Sequence, residues 1–430
     1  MIVEVRLKNC LIFSDEIQFS LKADMRNKKF SSNVHQENGF NVLKTVGIYG
    51  PNNAGKTCLI QGIREIKNTL SNEFSKLGSN IFSESSISEA GIRFLNRGRE
   101  FDYEFHYDSG SEEYPYEKFV EILKDSYGNE KEHLYFLRDI QKQKFICEDK
   151  KLEEMLPMIS KSNILIYLVD PQAFNLVNET KTILTDFASK IDVIDMNNIP
   201  LNKTVQLMKG NSKRQKKVVE FIKNADLDMD DFVYLDEEHF RWNLGEFEKE
   251  KPEEKALDIP EQFMEQIRLC SVYHGVPLPS VLFDSTGTKK IAALASYIIE
   301  ALEDGRVLVI DELDSSLHFK LTRAIAAMFN NELNRSAQLI FTVHDINLLD
   351  CKKLFRKEQI WFIDKDQAGV YLYSLADFTA LKGVRDNSDI LSKYQKGIFG
   401  AVPEPELIKS LLDLDIYITV RFRYPYEKSR

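Results

Sequence analysis

The chain has 430 residues, a length that can bury a large core and form two or three lobes. Its formal net charge of −10 at pH 7 argues against non-specific binding of nucleic acid by the whole surface, so such binding requires a local basic patch. No run of about 18 apolar residues is present to span a bilayer, and residues 1–7 alternate like a strand, so we expect a cytoplasmic protein without a membrane segment. The five cysteines are odd in number and far apart, which favours neither a disulfide framework nor a zinc site.

The N-terminal segment predicts strands, a loop and then a strand followed by a helix. Residues 1–21 contain two alternating apolar patterns, which predict two strands. Residues 22–40 are polar and rich in Lys, Asn and Ser, so we expect an exposed loop there. Residues 45–49 form a short apolar run, and from Leu59 to Leu70 apolar residues recur at helical spacing, which indicates a strand and a helix.

Between that strand and that helix lies GPNNAGKT, which matches the phosphate-binding pattern G-x-x-x-x-G-K-[ST] at every fixed position. Glycines in such a loop let backbone N–H groups converge on phosphate oxygens at a helix N-terminus. Lys56 is expected to reach the β- and γ-phosphates, and the Thr57 hydroxyl to bind Mg²⁺. The motif therefore predicts an ATP or GTP site with magnesium. Its predicted nucleotide contacts are Gly50, Asn52, Asn53, Ala54, Gly55, Lys56, Thr57 and Cys58.

Short β-type segments separated by Gly and Asp follow this helix. In one of them Phe101, Tyr103, Phe105 and Tyr107 alternate, so they share one face of a strand. The pattern predicts an antiparallel lobe beside the nucleotide strand. The segments are 91–95, 101–107, 118–123, 133–137 and 144–147.

The periodicity becomes mainly helical at about residue 150. Residues 152–159 and 171–225 indicate helices, residues 163–169 a short apolar strand, and residues 236–256 an exposed acidic hairpin or loop. The heptads are not sustained, so a long coiled coil is not expected. The run from Lys209 to Lys217 is the densest basic stretch, and it fits a solvated helix start as well as a phosphate-contacting patch.

Two further apolar runs end in polar side chains of the kind that ATP chemistry needs. Residues 306–310 are typical of a strand in a parallel sheet, and Asp311 and Glu312 follow directly. In phosphate-loop ATPases the first acid helps to hold Mg²⁺ and a following Glu polarises the attacking water, which are the roles we predict here. Residues 338–343 form a second such strand, and we expect His344 at its end to sense the γ-phosphate.

The segment DSTGTKK, residues 284–290, opens a helix that Gly305 is expected to end. A small polar loop at a helix N-terminus can bind phosphate through backbone N–H groups, although Ser-Thr-Gly before a helix is also ordinary capping. Its place in the chain between Lys56 and Asp311 favours the phosphate role. The predicted contacts are Ser285, Gly287 and Thr288.

The motifs GPNNAGKT, DSTGTKK, VLVIDELDSSLH and TVHD, in this order, resemble the ABC-type ATPases of the SMC, Rad50 and RecF group. More narrowly, DSTGTKK with IDELDSSLH, residues 359–364 and residues 394–403 resembles the AAA15 family of prokaryotic ATPases, which frequently belong to abortive-infection and other anti-phage systems. The resemblance covers most of residues 1–74 and 264–403. It implies an α/β fold, an ABC-type ATPase head with an antiparallel β lobe, a helical insertion and no long coiled coil. The expected domains are an N-terminal ATPase lobe (1–149), a mainly helical insertion (150–263), a C-terminal ATPase lobe (264–380) and a C-terminal extension (381–430).

The same resemblance implies a composite site shared between two protomers. Ser285 and Gly287 would belong to a signature loop that closes on ATP held by the partner, and residues 314–317 would lie between the two sites, so the implied state is a homodimer or a higher homo-oligomer. The chain has Thr286 where the family at large has glycine. Residues 80–90 contain no glutamine to serve as the family's Q-loop residue, and Gln141 and Gln143 are weak substitutes.

Three functional hypotheses follow. The favoured one is an ATP-hydrolysing sensor or switch of a defence system that controls a separate effector, a nuclease or a toxin. The second is a DNA-handling ATPase of the RecF or Rad50 kind, which the basic run keeps open. The third, a self-contained nuclease, is disfavoured because little chain follows His344, and residues 364–366 and 404–406 are more simply a turn and a capped helix start.

Overall fold

The structure is a computed structural model, and it describes residues 1–75, 77–125, 128–210, 213–225, 227–236, 260–366, 369–379, 384–385 and 388–403. After Asp236, the acidic segment predicted over 236–256 lies outside these residues, as do residues 404–406 and most of the predicted C-terminal extension. Within the described residues, no helix combines the length and the apolar character needed to cross a membrane.

The strands are β1 (Ile2–Lys8), β2 (Ile17–Ser20), β3 (Val34–Glu37), β4 (Phe40–Leu43), β5 (Thr45–Tyr49), β6 (Ile87–Asn96), β7 (Arg99–Asp108), β8 (Glu113–Lys124), β9 (Glu130–Asp139), β10 (Lys144–Cys147), β11 (Ile191–Asp195), β12 (Asp231–Tyr234), β13 (Leu269–Tyr273), β14 (Val276–Pro279), β15 (Val307–Asp311), β16 (Gln338–Thr342), β17 (Ile360–Lys365) and β18 (Val370–Ser374). The helices are α1 (Lys56–Leu70), α2 (Lys150–Met155), α3 (Leu165–Leu168), α4 (Asn175–Ser189), α5 (Asn202–Lys209), α6 (Lys213–Lys223), α7 (Glu261–Ile267), α8 (Ser280–Phe283), α9 (Thr286–Asp304), α10 (Phe319–Asn330) and α11 (Ile390–Gln395).

Two large sheets form the body of the protein. The antiparallel sheet has seven strands in the order β10-β9-β8-β7-β6-β1-β2, and the mixed sheet has six in the order β11-β15-β16-β5-β17-β18. In the mixed sheet the first five strands are parallel and β18 is antiparallel. Strands β5, β15 and β16 are buried on both faces, which explains why their sequences are mainly apolar rather than alternating.

Helix α1 and the side chain of Gln338 join the two sheets. Helix α1 contacts β6 of the antiparallel sheet as well as β11 and β15 of the mixed sheet. The buried Gln338, the first residue of β16, accepts the Ile2 N–H at 2.7 Å and donates to the carbonyls of Ile2 and Leu43 at 2.9 Å. This side chain therefore links the antiparallel sheet to the mixed sheet through hydrogen bonds to the main chain.

The predicted fold class, an α/β ABC-type ATPase head with an antiparallel lobe, is confirmed. The β segments predicted after the first helix are β6 to β10, and all but the last are longer than predicted because their polar ends extend the hairpins. The described helices form no long coiled coil, and α9 is the longest of them.

Some local predictions were wrong. The predicted loop over residues 22–40 contains the strand β3 and begins β4, because Val34 and Phe40 are buried and pair across a hairpin with Leu43 and Glu37. Residues 163–169, predicted as a strand, contain the helix α3. The buried Glu117 carboxylate accepts the Leu165 N–H at the start of that helix, a distant contact that local periodicity cannot show.

The predicted helical insertion contains α2 to α6 but also two strands. Strand β11 pairs in parallel with β15 at the edge of the mixed sheet, and β12 pairs with β13. The chain thus returns to the mixed sheet inside the segment that was expected to be helical. The division into domains at residues 149, 263 and 380 stays a prediction.

Candidate functional site

The predicted site residues of the mixed sheet meet at its carboxyl edge. Asp195 lies opposite Asp311 in the β11–β15 pair, Ile310 lies opposite Phe341, and Thr342 lies opposite Ile48. These strands are parallel, so the segments that follow them emerge at the same edge. The loop after β5, the carboxylates that end β15 and the residues that follow β16 are therefore neighbours.

The phosphate-loop motif connects β5 to α1, as predicted. Its backbone has positive φ at Gly50 (156°), Asn53 (63°) and Gly55 (116°), and Gly55 stands at the N-cap position of α1. A Cβ on Gly50 would lie 2.2 Å from the carbonyl oxygen of Ile363, so only glycine fits there.

The loop presents its tip and the start of the helix to solvent. Asn52, Asn53 and Thr57 are exposed, Cys58 is half-buried, and Ala54 is buried beneath the loop. The first N–H groups of a helix have no intrahelical acceptor, so the backbone from Lys56 to Cys58 offers donors to an anion.

Lys56 is buried and hydrogen-bonded to its own loop. Its Nζ donates to the carbonyl of Gly50 at 2.7 Å and to that of Pro51 at 3.1 Å. Burial lowers the pKa of the Lys56 ammonium, while the carboxylates of Asp311, Glu312 and Asp314 act in the opposite direction. The lysine therefore lies within the electrostatic reach of the acids that end and follow β15.

Thr342 holds the two adjacent acids in place. Its hydroxyl donates to Asp311 Oδ1 at 2.5 Å and accepts the Glu312 N–H at 2.7 Å. Asp311 is buried, and Glu312 has a left-handed backbone with φ of 55°. A positive φ is costly for a residue with a Cβ, so the hydrogen bond from its N–H to Thr342 helps to keep Glu312 in this conformation.

Glu312 and His344 face each other. Glu312 Oε1 lies 3.9 Å from His344 Nε2, and Glu312 Oε2 accepts a hydrogen bond from Asn197 Nδ2 at 2.7 Å. The carboxylate of Asp314 accepts the N–H groups of His344 at 2.9 Å and Asp345 at 2.7 Å. These bonds fix the segment after β16 against the segment after β15.

Ser285, Gly287 and Thr288 form a second group of predicted contacts at the start of α9. Ser285 is the N-cap residue, and its Oγ accepts the Thr288 N–H at 3.2 Å. A Cβ on Gly287 would lie 2.8 Å from the Ser316 carbonyl oxygen, so the helix start packs tightly against the segment that follows Glu312. Among the described residues, no hydrogen bond joins these three to the phosphate loop.

Asp284 fixes the start of the predicted signature loop through three hydrogen bonds. The buried carboxylate accepts hydrogen bonds from the hydroxyls of Ser271 at 2.6 Å, Ser280 at 2.5 Å and Tyr273 at 2.9 Å. These donors lie on β13 and α8, so Asp284 ties the predicted signature loop to the hairpin before it. Local patterns placed Asp284 in the motif but gave no role for its side chain.

The basic run from Lys209 to Lys217 is largely paired. Arg214 donates to Glu303 at 2.6 Å and to Asp304 at 2.8 Å, and Lys217 contacts Glu303 at 2.5 Å. Lys209 pairs with Glu265. These carboxylates neutralise much of the charge that a phosphate backbone would need, so the geometry favours a structural role for the run.

The oxygen ligands at this edge fit Mg²⁺. The exposed Thr57 hydroxyl and the Asp311 carboxylate are hard ligands of the kind that magnesium prefers, and substrate phosphates commonly supply further oxygens. Within the described residues, Asp311 Oδ2 makes no hydrogen bond, which leaves one oxygen of the pair for a cation.

The fold and the residues at the carboxyl edge of the mixed sheet define a phosphate-loop ATPase head. Residues 46–350 match the family described as "AAA domain, putative AbiEii toxin, Type IV TA system". The match spans most of the chain, so the protein belongs to this AAA-domain family. A search of curated proteins finds no significant match.

Solved SMC head domains are among the structures that this chain resembles. The SMC head domain from Thermotoga maritima has 12% identity and a TM-score of 0.41, with 87% of this chain and 98% of that chain covered. An SMC head bound to the C-terminal winged-helix domain of ScpA has 13% identity, a TM-score of 0.41 and coverage of 88% and 99%. The Pyrococcus furiosus SMC head with an extended coiled coil, bound to the C-terminal domain of ScpA, has 12% identity, a TM-score of 0.40 and coverage of 89% and 98%.

Proposed function

We propose that this chain binds and hydrolyses ATP with Mg²⁺ at the carboxyl edge of the mixed sheet. The observation that carries the proposal is the convergence of Lys56, Asp311, Glu312 and His344 on this edge. A buried cation beside a phosphate loop and a pair of strand-end acids provide what phosphoryl transfer requires, namely positioning and charge stabilisation.

Each side chain has a distinct role in this proposal. Lys56 and the N–H groups at the start of α1 bind the phosphates, and Thr57 and Asp311 hold the magnesium ion. When bound, Mg²⁺ neutralises charge on the β- and γ-phosphate oxygens. Glu312 accepts a proton from the attacking water, and His344 contacts the γ-phosphate.

The complete site is proposed to form between two protomers. Ser285 is exposed at the start of α9, and within the described residues its side-chain hydrogen bonds join it to Thr288 of α9 rather than to the phosphate loop of its own chain. Its hydroxyl and the N–H groups near Gly287 are therefore proposed to bind the γ-phosphate of ATP held by the partner, in a homodimer or a higher homo-oligomer.

A cytoplasmic sensor or switch in anti-phage defence is the proposed biological role. The family's description, which refers to an AbiEii toxin and a type IV toxin–antitoxin system, supports such a setting. ATP that bridges two protomers stabilises one arrangement of the lobes, and its hydrolysis removes the bridge, so a separate nuclease or toxin is held or released. The ion pairs of Lys209, Arg214 and Lys217 reduce the positive charge on which DNA handling of the RecF or Rad50 kind would depend.

Complementation between two inactive variants tests the composite site. Lys56→Ala removes a phosphate contact, and Ser285→Arg places a bulky cation against the partner's γ-phosphate. A mixed dimer of the two variants has one site with both lesions and one site with neither. We therefore expect ATP turnover to return partly in a 1:1 mixture after the protomers exchange.

The controls are each variant alone and labelled chains that verify exchange. A mixture that stays as inactive as the single variants despite exchange would contradict a site shared between protomers.

For the role in defence, the chain is expressed alone and with its genomic neighbour, with and without phage. Cleavage of DNA or tRNA by the purified chain alone would contradict a separate effector.

A further inference from the structure

A chain of hydrogen bonds runs from helix α9 to the carboxylate of Glu312. Lys290 Nζ donates to Ser315 Oγ at 2.9 Å. Ser315 Oγ donates to Asn197 Oδ1 at 2.9 Å, and Asn197 Nδ2 donates to Glu312 Oε2 at 2.7 Å. We call Lys290, Ser315 and Asn197 the relay.

The chemistry of its members gives the relay one direction. A lysine ammonium can only donate, so the Ser315 oxygen accepts from Lys290 and its own hydrogen is left for Asn197. The Asn197 carbonyl accepts that hydrogen, which turns the amide Nδ2 toward Glu312. A cation stands at one end and a carboxylate at the other, and hydrogen bonds aligned in this way strengthen one another.

The end of β11 positions Asn197. Asp195, the last residue of β11, lies opposite Asp311 in the parallel pair. Its Oδ1 accepts the Asn197 N–H at 2.8 Å, which fixes Asn197 in the turn that follows the strand, and its Oδ2 accepts the Asn198 Nδ2 at 2.8 Å. The turn after the neighbouring strand thus supplies a side chain to the predicted catalytic acid.

Contacts at the other end connect the relay to the predicted signature loop. Lys290 lies near the start of α9 and also contacts the Ser315 carbonyl at 3.3 Å and Ser316 Oγ at 3.4 Å. Gly287 packs against the Ser316 carbonyl oxygen, where even a Cβ would be too close. The segment that holds Ser315 is therefore in direct contact with the helix start.

We propose that Asn197 is a positioning residue for ATP hydrolysis, and that Ser315 couples it to the start of α9. Asn197 holds Glu312 Oε2, so that Oε1, which lies 3.9 Å from His344 Nε2, faces the reacting phosphate and water. Correct placement of Ser285 on a partner's ATP thereby sets the orientation of the base in the same chain. This inference rests on the proposed ATPase function.

The first test compares two adjacent asparagines. Asn197→Ala removes the bond to Glu312, and we expect kcat to fall about tenfold, since a hydrogen bond to a charged group contributes roughly this factor. The KM for ATP and the ATP dissociation constant should stay within about twofold, because uniform binding is untouched. Asn198→Ala is the matched control, since its side chain bonds to Asp195 and not to Glu312. Melting temperatures of both variants exclude a simple folding defect.

A second test examines coupling through Ser315. Ser315→Ala should lower kcat about as much as Asn197→Ala, and Ser315→Thr, which keeps the hydroxyl, should restore it. The double variant Asn197→Ala/Ser315→Ala should differ from either single variant by less than about twofold, because both substitutions break one relay.

The possible outcomes distinguish a failure of this inference from a failure of the proposed ATPase function. Equal kcat values for Asn197→Ala and Asn198→Ala, or losses that multiply in the double variant, would overturn the relay while wild-type ATP turnover stands. Equal turnover by the wild type and Glu312→Gln would overturn the proposed catalytic role of Glu312 and this inference with it.

Discussion

Glu117 in the antiparallel sheet and Glu312 in the mixed sheet are carboxylates in opposite surroundings. Glu117 is fully buried and accepts bonds from Tyr103 at 2.8 Å and from the Leu165 N–H, besides its ion pair with Arg138. Glu312 is only partly buried, has a strained backbone, and has one oxygen directed toward His344 rather than toward a close donor.

The difference separates a charge that stabilises the fold from one that is available for chemistry. A buried carboxylate with every lone pair occupied cannot accept a proton without losing its partners. A carboxylate that keeps one oxygen within reach of solvent can accept a proton without losing its other hydrogen bonds. Substitution at the first should therefore alter the stability of the protein, and substitution at the second should alter the turnover of ATP.

The largest expected effect is at Glu312. Glu312→Gln keeps the shape of the side chain but removes the base, so we expect ATP turnover to fall by about 10²- to 10⁴-fold. The free energy of unfolding should change by less than about 0.5 kcal/mol, as is usual for a substitution outside the core. Steady-state turnover, equilibrium ATP binding and urea unfolding check this. Unchanged turnover would remove Glu312 from the mechanism.

Glu117→Ala should produce the reverse pattern. It leaves the buried Arg138 without its counterion and the Leu165 N–H without its acceptor, so the free energy of unfolding should fall by about 3–5 kcal/mol. The matched control is Glu132→Ala, which removes the partner of Lys118 from the exposed face of the same sheet and should cost less than about 1 kcal/mol. Urea unfolding measures both.

If Glu117→Ala and Glu132→Ala lowered the free energy of unfolding equally, burial would not distinguish the Glu117–Arg138 ion pair from the Glu132–Lys118 ion pair. The ATP affinity of the folded fraction of Glu117→Ala should equal that of the wild type, since Glu117 makes no contact with the phosphate loop.

Asp284 combines features of both acids, and its substitution should show both effects at intermediate size. Asp284→Ala leaves the hydroxyls of Ser271, Ser280 and Tyr273 without their acceptor, so we expect a loss of about 1–3 kcal/mol in the free energy of unfolding. ATP turnover should fall while ATP binding persists, because the predicted signature loop loses its anchor. Normal turnover would show that the hairpin does not orient Ser285.

The smallest effect is expected at Arg214. Its contacts with Glu303 and Asp304 are partly exposed, so Arg214→Ala should cost less than about 1 kcal/mol, and the cost should shrink as salt is added. Urea unfolding at low and high ionic strength measures this difference. A large, salt-sensitive loss of DNA binding in this variant would instead favour the DNA-handling hypothesis.

Local patterns were sufficient for the phosphate loop and for the acids at the end of β15. Lys56 and Asp311 belong to short motifs of consecutive residues, and each motif follows a mainly apolar strand. The structure brings these residues to one edge, as expected. Their catalytic and ligand roles stay predictions.

Contacts between distant segments could not be predicted in this way. Asn197 reaches Glu312 across 115 positions of the chain, and the strand that precedes it lies in a segment that was predicted to be helical. By sequence pattern, Thr342 is only the end of a mainly apolar strand. The parallel pairing of β15 and β16 brings its hydroxyl within hydrogen-bond distance of Asp311. A polar residue at the end of a buried strand was the available signal.

Strand β16 connects the contact between the two sheets to the candidate site. Its first residue, Gln338, joins the two sheets, and its last residue, Thr342, holds Asp311. A strand of this length spans roughly 13 Å, and both of its neighbours are hydrogen-bonded to it. One continuous strand therefore connects the antiparallel sheet to the predicted magnesium ligand, without an intervening loop.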